Sequence, residues 1–523
     1  MIYNFTYIYR FIKHNKKKFI QTKRNQGQIL VDFFQYKPSI IVFSYVANVL
    51  ADKYQSKIIL TDCNFFTIKK YFFLIFQKLF FFSNWFIYKS FGAKKLVVSK
   101  LSKFDILESE KVYNSTIKTI KKNKDILKIE VCRIKIGDLI YDDYLRHYNK
   151  ATIDINSYEF KKHLLQMLQL FVFWKNYILT NKVNACLISH GVYRFGILAR
   201  IAINFNIKVI QSGFGCTYSL NKKNYLTNTG YEYYPKTFKI LKKKIKKNLY
   251  EIAKNELNKK LIGQTDMTEI INQSQEYKSF NTKNYFKDID AKFKNNKIKV
   301  LVAAHLFNDA VHCYGECLFN DFYDWLDFLG QMSNKTKYEW MIKLHPADYD
   351  RNKILMKYFI DKYPKFKLIE KYTTHNQILE RNNIKAVFTV YGSVGHEYPL
   401  LGVPVINACI KNPHHAYNFN INPTSRKELK KIILKIEDIN FKLNTKIKKE
   451  IYEYYYTRIF ADYNFLPNPK KVYFKLKHRM STPEIFNEWL KIFDQNLHET
   501  QKNNYLKFIN SNNYRMINYN PRF

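Results

Sequence analysis

The sequence predicts an α/β protein built from two parallel-sheet domains. Three observations carry that reading. The chain has 523 residues, long for a single core and natural for two. Short β-rich runs alternate with helical periodicity, once before about residue 212 and again from Lys297. Between the two series lies a polar stretch, 263–296, with few apolar clusters.

In the first series, Ser39–Tyr45 (SIIVFSY) and Lys57–Thr61 (KIILT) read as strands. The aromatic stretch 71–87 reads as helix, ended by Gly92, and Lys95–Ser99 is a further strand. Residues 133–146, RIKIGDLIYDDYLR, form a compact polar-aromatic motif, and Glu159–Leu179 is a long periodic helix. Ala185–His190 (ACLISH) is a buried strand run ending in Ser189-His190-Gly191. A helix over Tyr193–Phe205, a strand over Lys208–Gln211 and the loop Ser212-Gly213-Phe214-Gly215 follow. That is one β/α/β unit, whose loops lie beyond the strand C-termini, where open α/β sheets hold their ligands. Residues 237–262 are helical and basic.

The second series opens with strand Ile298–Ala304, which leads into His305-Leu306-Phe307-Asn308-Asp309. Asp321–Met332 is an amphipathic helix. Strand Tyr338–Leu344 ends in Lys343-Leu344-His345-Pro346, and Lys367–Ile369 is a short strand. His375–Glu380 starts a helix and Lys385–Val390 is the next strand. Tyr391-Gly392-Ser393-Val394-Gly395 follows, then His396-Glu397, a short apolar helix and the turn Gly402-Val403-Pro404. Small residues ahead of a helix leave backbone N–H groups for an anion; a plain tight turn fits the same residues. Near the end, Pro483 suits a first helical position and Ser481 with Glu484 a capping box. Ile485, Phe486, Trp489, Leu490 and Phe493 then form one apolar face, which must pack on something, the first domain being a candidate. The expected domains are 1–262, the linker 263–296, 297–475, and a C-terminal helix and tail 476–523.

Lys and Arg number 87 against 43 Asp and Glu, a net charge of +44. That charge suits nucleic acid, an anionic membrane face or phosphorylated substrates; a chain rich in Lys, Asn, Ile, Tyr and Phe acquires it through composition alone. No Arg-rich tail or zinc-knuckle spacing points to nucleic acid. Seven cysteines, irregularly spaced, with Cys313 and Cys317 the one close pair, suggest a reduced cytosolic compartment. The basic N-terminus lacks the apolar core of a secretory signal. No run reaches roughly 18 uncharged apolar residues, so no membrane span is expected. Stretch 71–87, broken by Gln77-Lys78 and Ser83-Asn84, fits an anionic membrane interface or a buried helix.

These residues resemble a known group. The second half looks like the nucleotide-binding domain of two-domain GT-B glycosyltransferases, and is similar to bacterial capsule and surface-polysaccharide biosynthesis proteins. The pieces that carry the likeness are His305–Asp309, Leu318–Leu326 (LFNDFYDWL), Trp340–Pro346 (WMIKLHP), and 384–407 with Glu397, Gly402 and Pro404. In the first half they are Gly137–Asp142 (GDLIYD) and Ser189-His190-Gly191 with Tyr193, Gly196 and Arg200. The likeness covers roughly residues 130–410.

It implies two Rossmann-like domains facing an interdomain cleft, with a helical C-terminal extension. The donor would sit on the C-terminal domain and the acceptor on the N-terminal one. Ser393 and Gly395 would hold donor phosphates through backbone N–H groups. Glu397 would accept from ribose hydroxyls, or serve only as a favourable charge at a helix start. His396 and His345 would contact phosphate, and Lys343 would neutralise charge or point outward. His305 and Asp309 would face the cleft, Asp309 taking a proton, binding sugar hydroxyls or capping a turn. An inverting transfer needs a base on the acceptor side. His190 suits that role, with a structural histidine as the alternative and Asp138 and Asp142 as rivals. Arg200 would meet an anionic substrate or a nearby carboxylate.

No metal is expected; neighbouring residues His414 and His415 point different ways on a regular element. No cofactor is expected beyond the nucleotide-sugar co-substrate. The implied activity is transfer of a sugar from a nucleotide-sugar to a growing glycan or lipid-linked acceptor. The place is the cytoplasm, with a peripheral position on the inner membrane face. Two alternatives stand beside it: transfer of a phosphoalcohol from a CDP-linked donor, and a non-catalytic role in polysaccharide assembly or export.

Overall fold

A computed structural model describes residues 2–19, 24–213, 215–226, 229–264, 297–345, 350, 352–371, 373–381, 383–462, 469–476 and 480–519. Phe214, Pro346 and nearly all of the expected linker (265–296) lie outside the described residues. The chain divides into two compact units. The first takes Met1–Asp143, Asp154–Thr227 and Asp462–Phe523; the second takes Tyr144–Ile153 and Asn228–Ala461.

That division corrects the expected boundaries. Helices Tyr234–Lys244 and Leu249–Leu261 belong to the second unit because they pack on helix Thr445–Ile459, burying Phe238, Leu241, Leu249 and Leu257. The C-terminal helix Glu484–Ile492 returns to the first unit. It packs on helices Ile2–Lys18 and Lys37–Lys53, with Phe486 stacked on Phe11 at 4.3 Å. The expected capping box at its start does not form: Pro483 occupies the cap position and no side chain accepts there.

The first unit is built on six strands: β1 (Gln28–Asp32), β2 (Lys57–Asp62), β3 (Ala93–Val98), β6 (Val183–Ile188), β7 (Lys208–Ser212) and β8 (Thr217–Leu220). The intervening β4 (Glu130–Val131) and β5 (Ile134–Lys135) form a separate small hairpin. The sheet order is β3-β2-β1-β6-β7-β8, parallel except for β8. Going outward from β1, the chain first builds one side and then the other. The crevice between the carboxyl ends of β1 and β6 is therefore the topological switch point.

Ser39–Tyr45, expected as a strand, lies inside helix Lys37–Lys53. Pro38 starts that helix, and every residue from Pro38 to Ala51 is buried. A helix apolar on all sides carries no amphipathic stripe to tell it from a buried strand. The motif 133–146 resolves into β5 and helix Gly137–Tyr148. The aromatic stretch splits into helices Ile68–Leu79 and Asn84–Ser90.

The second unit holds β9 (Lys299–Ala303), β10 (Glu339–Lys343), β11 (Phe366–Leu368), β12 (Ile384–Thr389) and β13 (Val405–Asn407), all parallel, in the order β11-β10-β9-β12-β13. Its switch point lies between β9 and β12. Leu301, Met341, Val387, Val405 and Tyr398 share one core cluster beneath it. Both units are thus Rossmann-like, each with helices on a parallel sheet whose strands are nearly all buried, as two covered faces require.

Candidate functional site

At the switch point of the first unit, β1 ends in Asp32 and β6 leads into Ser189-His190. Asp32 is buried. Its Oδ2 accepts from the Ser189 backbone N–H at 3.3 Å and from the Ser189 hydroxyl in a short hydrogen bond. The Ser189 Oγ in turn lies 2.9 Å from His190 Nδ1. The His190 ring reaches the surface between Phe34 and Phe195, at 5.2 and 6.3 Å, and desolvation lowers its pKa below the ordinary value. With Asp32 ionised, the Ser189 hydroxyl donates to it and accepts from His190 Nδ1–H. The lone pair of the imidazole is then on Nε2.

Burial raises the Asp32 pKa from 3.8 to about 6, against the lowering effect of the Ser189 bonds. The sign follows from linkage. Between about pH 4 and 6 the folded chain keeps a proton that the unfolded chain has released, so stability falls as pH rises through that window. The loss from this group is on the order of 2–3 kcal/mol. Asp32→Asn is expected to remove that part of the slope, checked by comparing urea unfolding of both proteins at several pH values. An unchanged slope would mean Asp32 is ionised throughout.

The rival carboxylates are occupied. Asp138 is held bidentately by Arg200, with Nη1–Oδ1 at 2.5 Å and a second short contact through Nη2. Arg200 also donates to the Lys135 carbonyl at 2.7 Å. The pair ties helix Phe195–Asn204 to the start of helix Gly137–Tyr148, which corrects the expectation of Asp138 as a base. Asp142 and Asp143 are buried on the same helix, and Arg194 binds Asp143 at 2.7 and 2.9 Å.

In the second unit, His305 follows β9. Its Nε2 lies 3.1 Å from Thr389 Oγ1 and accepts from the backbone N–H groups of Val390 and Tyr391, each at 3.3 Å. The ring stacks on Phe322 at 4.7 Å, and desolvation lowers its pKa to about 3. His305 is therefore a neutral acceptor that ties the loop after β12 to the end of β9, not a donor to phosphate through Nε2. Asp309 is half-buried on the same loop, and its Oδ1 accepts from Ala310 N–H at 2.9 Å. Lys343, at the end of β10, is buried rather than outward. Its Nζ donates to the Thr373 carbonyl at 2.7 Å, and burial lowers its pKa to about 7. His345 is exposed beyond it.

The loop 391–397 differs most from expectation. Gly392 N–H donates to Thr389 Oγ1 at 3.1 Å, Gly395 N–H to Gly392 O at 3.0 Å, and His396 N–H to Ser393 O at 3.0 Å. With Val390 and Tyr391 on His305, this network engages most of the donors expected for phosphate. Ser393 and Val394 N–H stand outside it. Ser393 is exposed at the cap of helix Val394–Leu400. A Cβ on Gly395 would fall 2.3 Å from His414 Cε1, so the glycine makes room for a histidine ring. His396 is buried against Tyr454 and Tyr455, with Nδ1 3.4 Å from His414 Nε2, and burial holds its pKa well below the ordinary value. It is a core residue, not a phosphate ligand. Glu397 is 1% exposed and its Oε1 lies 2.5 Å from Lys260 Nζ. The carboxylate assigned to ribose is thus ion-paired inside the unit.

Sequence reasoning passed over Asp32, Lys260 and Thr389. Asp32 had a signal, the run Gln28–Asp32 (QILVD), which closes on a carboxylate as ACLISH closes on Ser-His. Lys260 had none beyond its place in a basic helix. Among the described residues no group of three His, Cys, Asp or Glu side chains is placed to hold a metal ion.

No family model matches the sequence, and no curated protein matches it. Similar solved structures include KpsC, a β-Kdo 2,4 transferase of Thermosulfurimonas dismutans. It is 12% identical, covers 52% of this chain and 79% of that one, and has a TM-score of 0.30. A UDP-GlcNAc 2-epimerase of Methanocaldococcus jannaschii, in complex with UDP-GlcNAc and UDP, is 14% identical over 81% of this chain and 97% of that one, with TM-score 0.23. A glycosyltransferase of Rickettsia africae is 10% identical over 94% and 100%, with TM-score 0.26.

Proposed function

We propose that the protein is a glycosyltransferase that moves a sugar from a nucleotide-sugar donor to a growing surface glycan, without a bound catalytic metal. The observation that carries the reading is the Asp32–Ser189–His190 chain at the switch point of the first unit. His190 Nε2 takes the proton of the acceptor hydroxyl as that oxygen bonds to the anomeric carbon. The bond from that carbon to the nucleotide phosphate breaks and the nucleotide leaves with the electron pair. Asp32 and Ser189 hold the imidazole tautomer and stabilise the imidazolium that forms.

The donor belongs to the second unit in this reading. Lys343, His345 and the N–H groups of Ser393 and Val394 lie at the carboxyl ends of β10 and β12, where such sheets bind phosphates. A phosphate near Lys343 favours its charged form and offsets the cost of its burial. Asp309 is assigned to donor sugar hydroxyls. The acceptor is a glycan carried on lipid, which places the protein at the inner face of the cytoplasmic membrane.

The test is a thermal-stability screen with CMP, UDP, GDP and CDP, followed by donor hydrolysis. One nucleotide at about 100 times its Kd should add about 2.7 kcal/mol, a Tm rise of a few degrees. Lys343→Ala should abolish that rise. If no nucleotide shifts Tm and no nucleotide-sugar turns over, the enzyme reading fails. A shift with CDP but no sugar transfer would turn it into phosphoalcohol transfer.

A further inference from the structure

Helix Ile68–Leu79 carries its apolar face on the wrong side for a soluble protein. Ile68, Phe72, Phe76 and Leu79 recur at spacings of four, four and three, one stripe of a helix. Each is more than half exposed, from 57% for Phe76 to 77% for Leu79. Leu74, on the opposite side, is 3% exposed and anchors the helix to the unit. The stripe therefore points away from the protein, and Phe73, Phe80 and Phe81 extend it. A contiguous aromatic patch of this kind marks a surface that meets a partner.

The rim identifies the partner. Lys69 and Lys78 are exposed on the same helix, Lys69 beside the stripe and Lys78 with its Nζ 5.6 Å from the Trp85 ring. Beside it lies a cavity of about 370 Å³ lined by Ile12, Phe19, Phe81 and Phe86, with Lys16 and Lys89 at its wall. Phe81 belongs to both the exposed face and the cavity. Aromatic bulk ringed by lysines matches a bilayer that carries negative headgroups: the rings enter the acyl boundary and the ammonium groups stay at the phosphates. A second copy of the chain fits less well, since it would bring the same lysines together on a protein of net charge +44. Among the described residues no helix is long and apolar enough to cross a membrane, so this helix would lie in the plane of the interface.

We infer that the face of helix Ile68–Leu79 and the adjoining Lys16–Lys89 cavity form a docking site for an anionic lipid bilayer, the cavity taking a phosphate-bearing lipid. The inference uses the first unit alone and does not depend on sugar transfer.

Flotation of the full chain with phosphatidylcholine vesicles, with and without phosphatidylglycerol, tests it. The protein should float with the anionic vesicles and not with the neutral ones, and less so as salt rises. F72S/F76S and, separately, K16E/K89E should each weaken that binding about tenfold or more. All four side chains are exposed, so Tm should stay at the parent value. Three results would overturn the inference: no flotation of the parent protein, variants that float like the parent, or a parent dimer that F72S/F76S turns into monomer, which assigns the face to self-association.

Discussion

The proposed sugar transfer is expected to fall about 100- to 10,000-fold at neutral pH in the His190→Ala variant, while the proposed nucleotide-induced rise in Tm stays the same. The size is that of losing a positioned general base. The reason lies in how the ring is held. Ser189 spans Asp32 and His190 Nδ1, so one tautomer is selected and Nε2 is the basic atom. The lowered pKa of His190 keeps the ring neutral, and so competent as a base, at pH 7. The acid limb of kcat/KM should therefore fall below the ordinary histidine value, near 6.5. Asp32 titrates close by, at about 6, so the limb belongs to the pair rather than to either residue. Asp32→Asn should keep His190 in place but lower the rate and reshape that limb. A merely structural histidine would lower Tm and leave the pH profile alone. If His190→Ala keeps its rate within a few-fold, the base is elsewhere, and Asp309 is the next residue to replace.

The strand ends were largely readable from the chain. ACLISH, IKVLVAAH and IKAVFTVYGS each close an apolar run on a polar or small residue, and each became the carboxyl end of a sheet strand. Local pattern suffices there, because a parallel strand buried on both faces writes itself as an uninterrupted apolar run. The partners of those ends were not readable. Asp32 meets Ser189 across 157 positions, and Lys260 meets Glu397 from a helix that looked like a plain basic stretch. A pairing set by tertiary packing leaves no periodicity behind. The resemblance places an acidic residue at Glu397 for ribose, and His396 beside it suits phosphate or a helix cap. Tyr454 and Tyr455 cover His396, on helix Thr445–Ile459, whose register no local rule predicts, and Lys260 pairs with the buried Glu397. The inverse happened with stretch 71–87: its composition suited a core helix as well as an interface, and only the placement of Leu74 shows which side is turned inward.

Gly395→Ala should cost about 2–4 kcal/mol of stability, the second large effect expected. Elsewhere in a helix the same change gains about 0.5–1 kcal/mol by removing glycine's backbone freedom. At this position sterics outweigh that gain. The new Cβ would lie 2.3 Å from His414 Cε1 and 2.5 Å from Nδ1, below any real carbon contact. The ring cannot step aside easily: it is fully buried, with Tyr454 at 4.6 Å and Phe419 at 5.6 Å. The backbone is tied as well, through Gly395 N–H to Gly392 O. Relief must come from moving the loop that His305 and Thr389 hold, so the nucleotide effect should weaken with the fold. A double variant separates the two causes. With His414→Ala also present, the Gly395→Ala penalty should shrink by more than half, because neighbours that clash are not additive. Urea unfolding of the two single variants and the double measures that coupling. If the penalty persists without the ring, the clash lies with Asn420, whose Nδ2 is 3.1 Å from the new Cβ, rather than with His414.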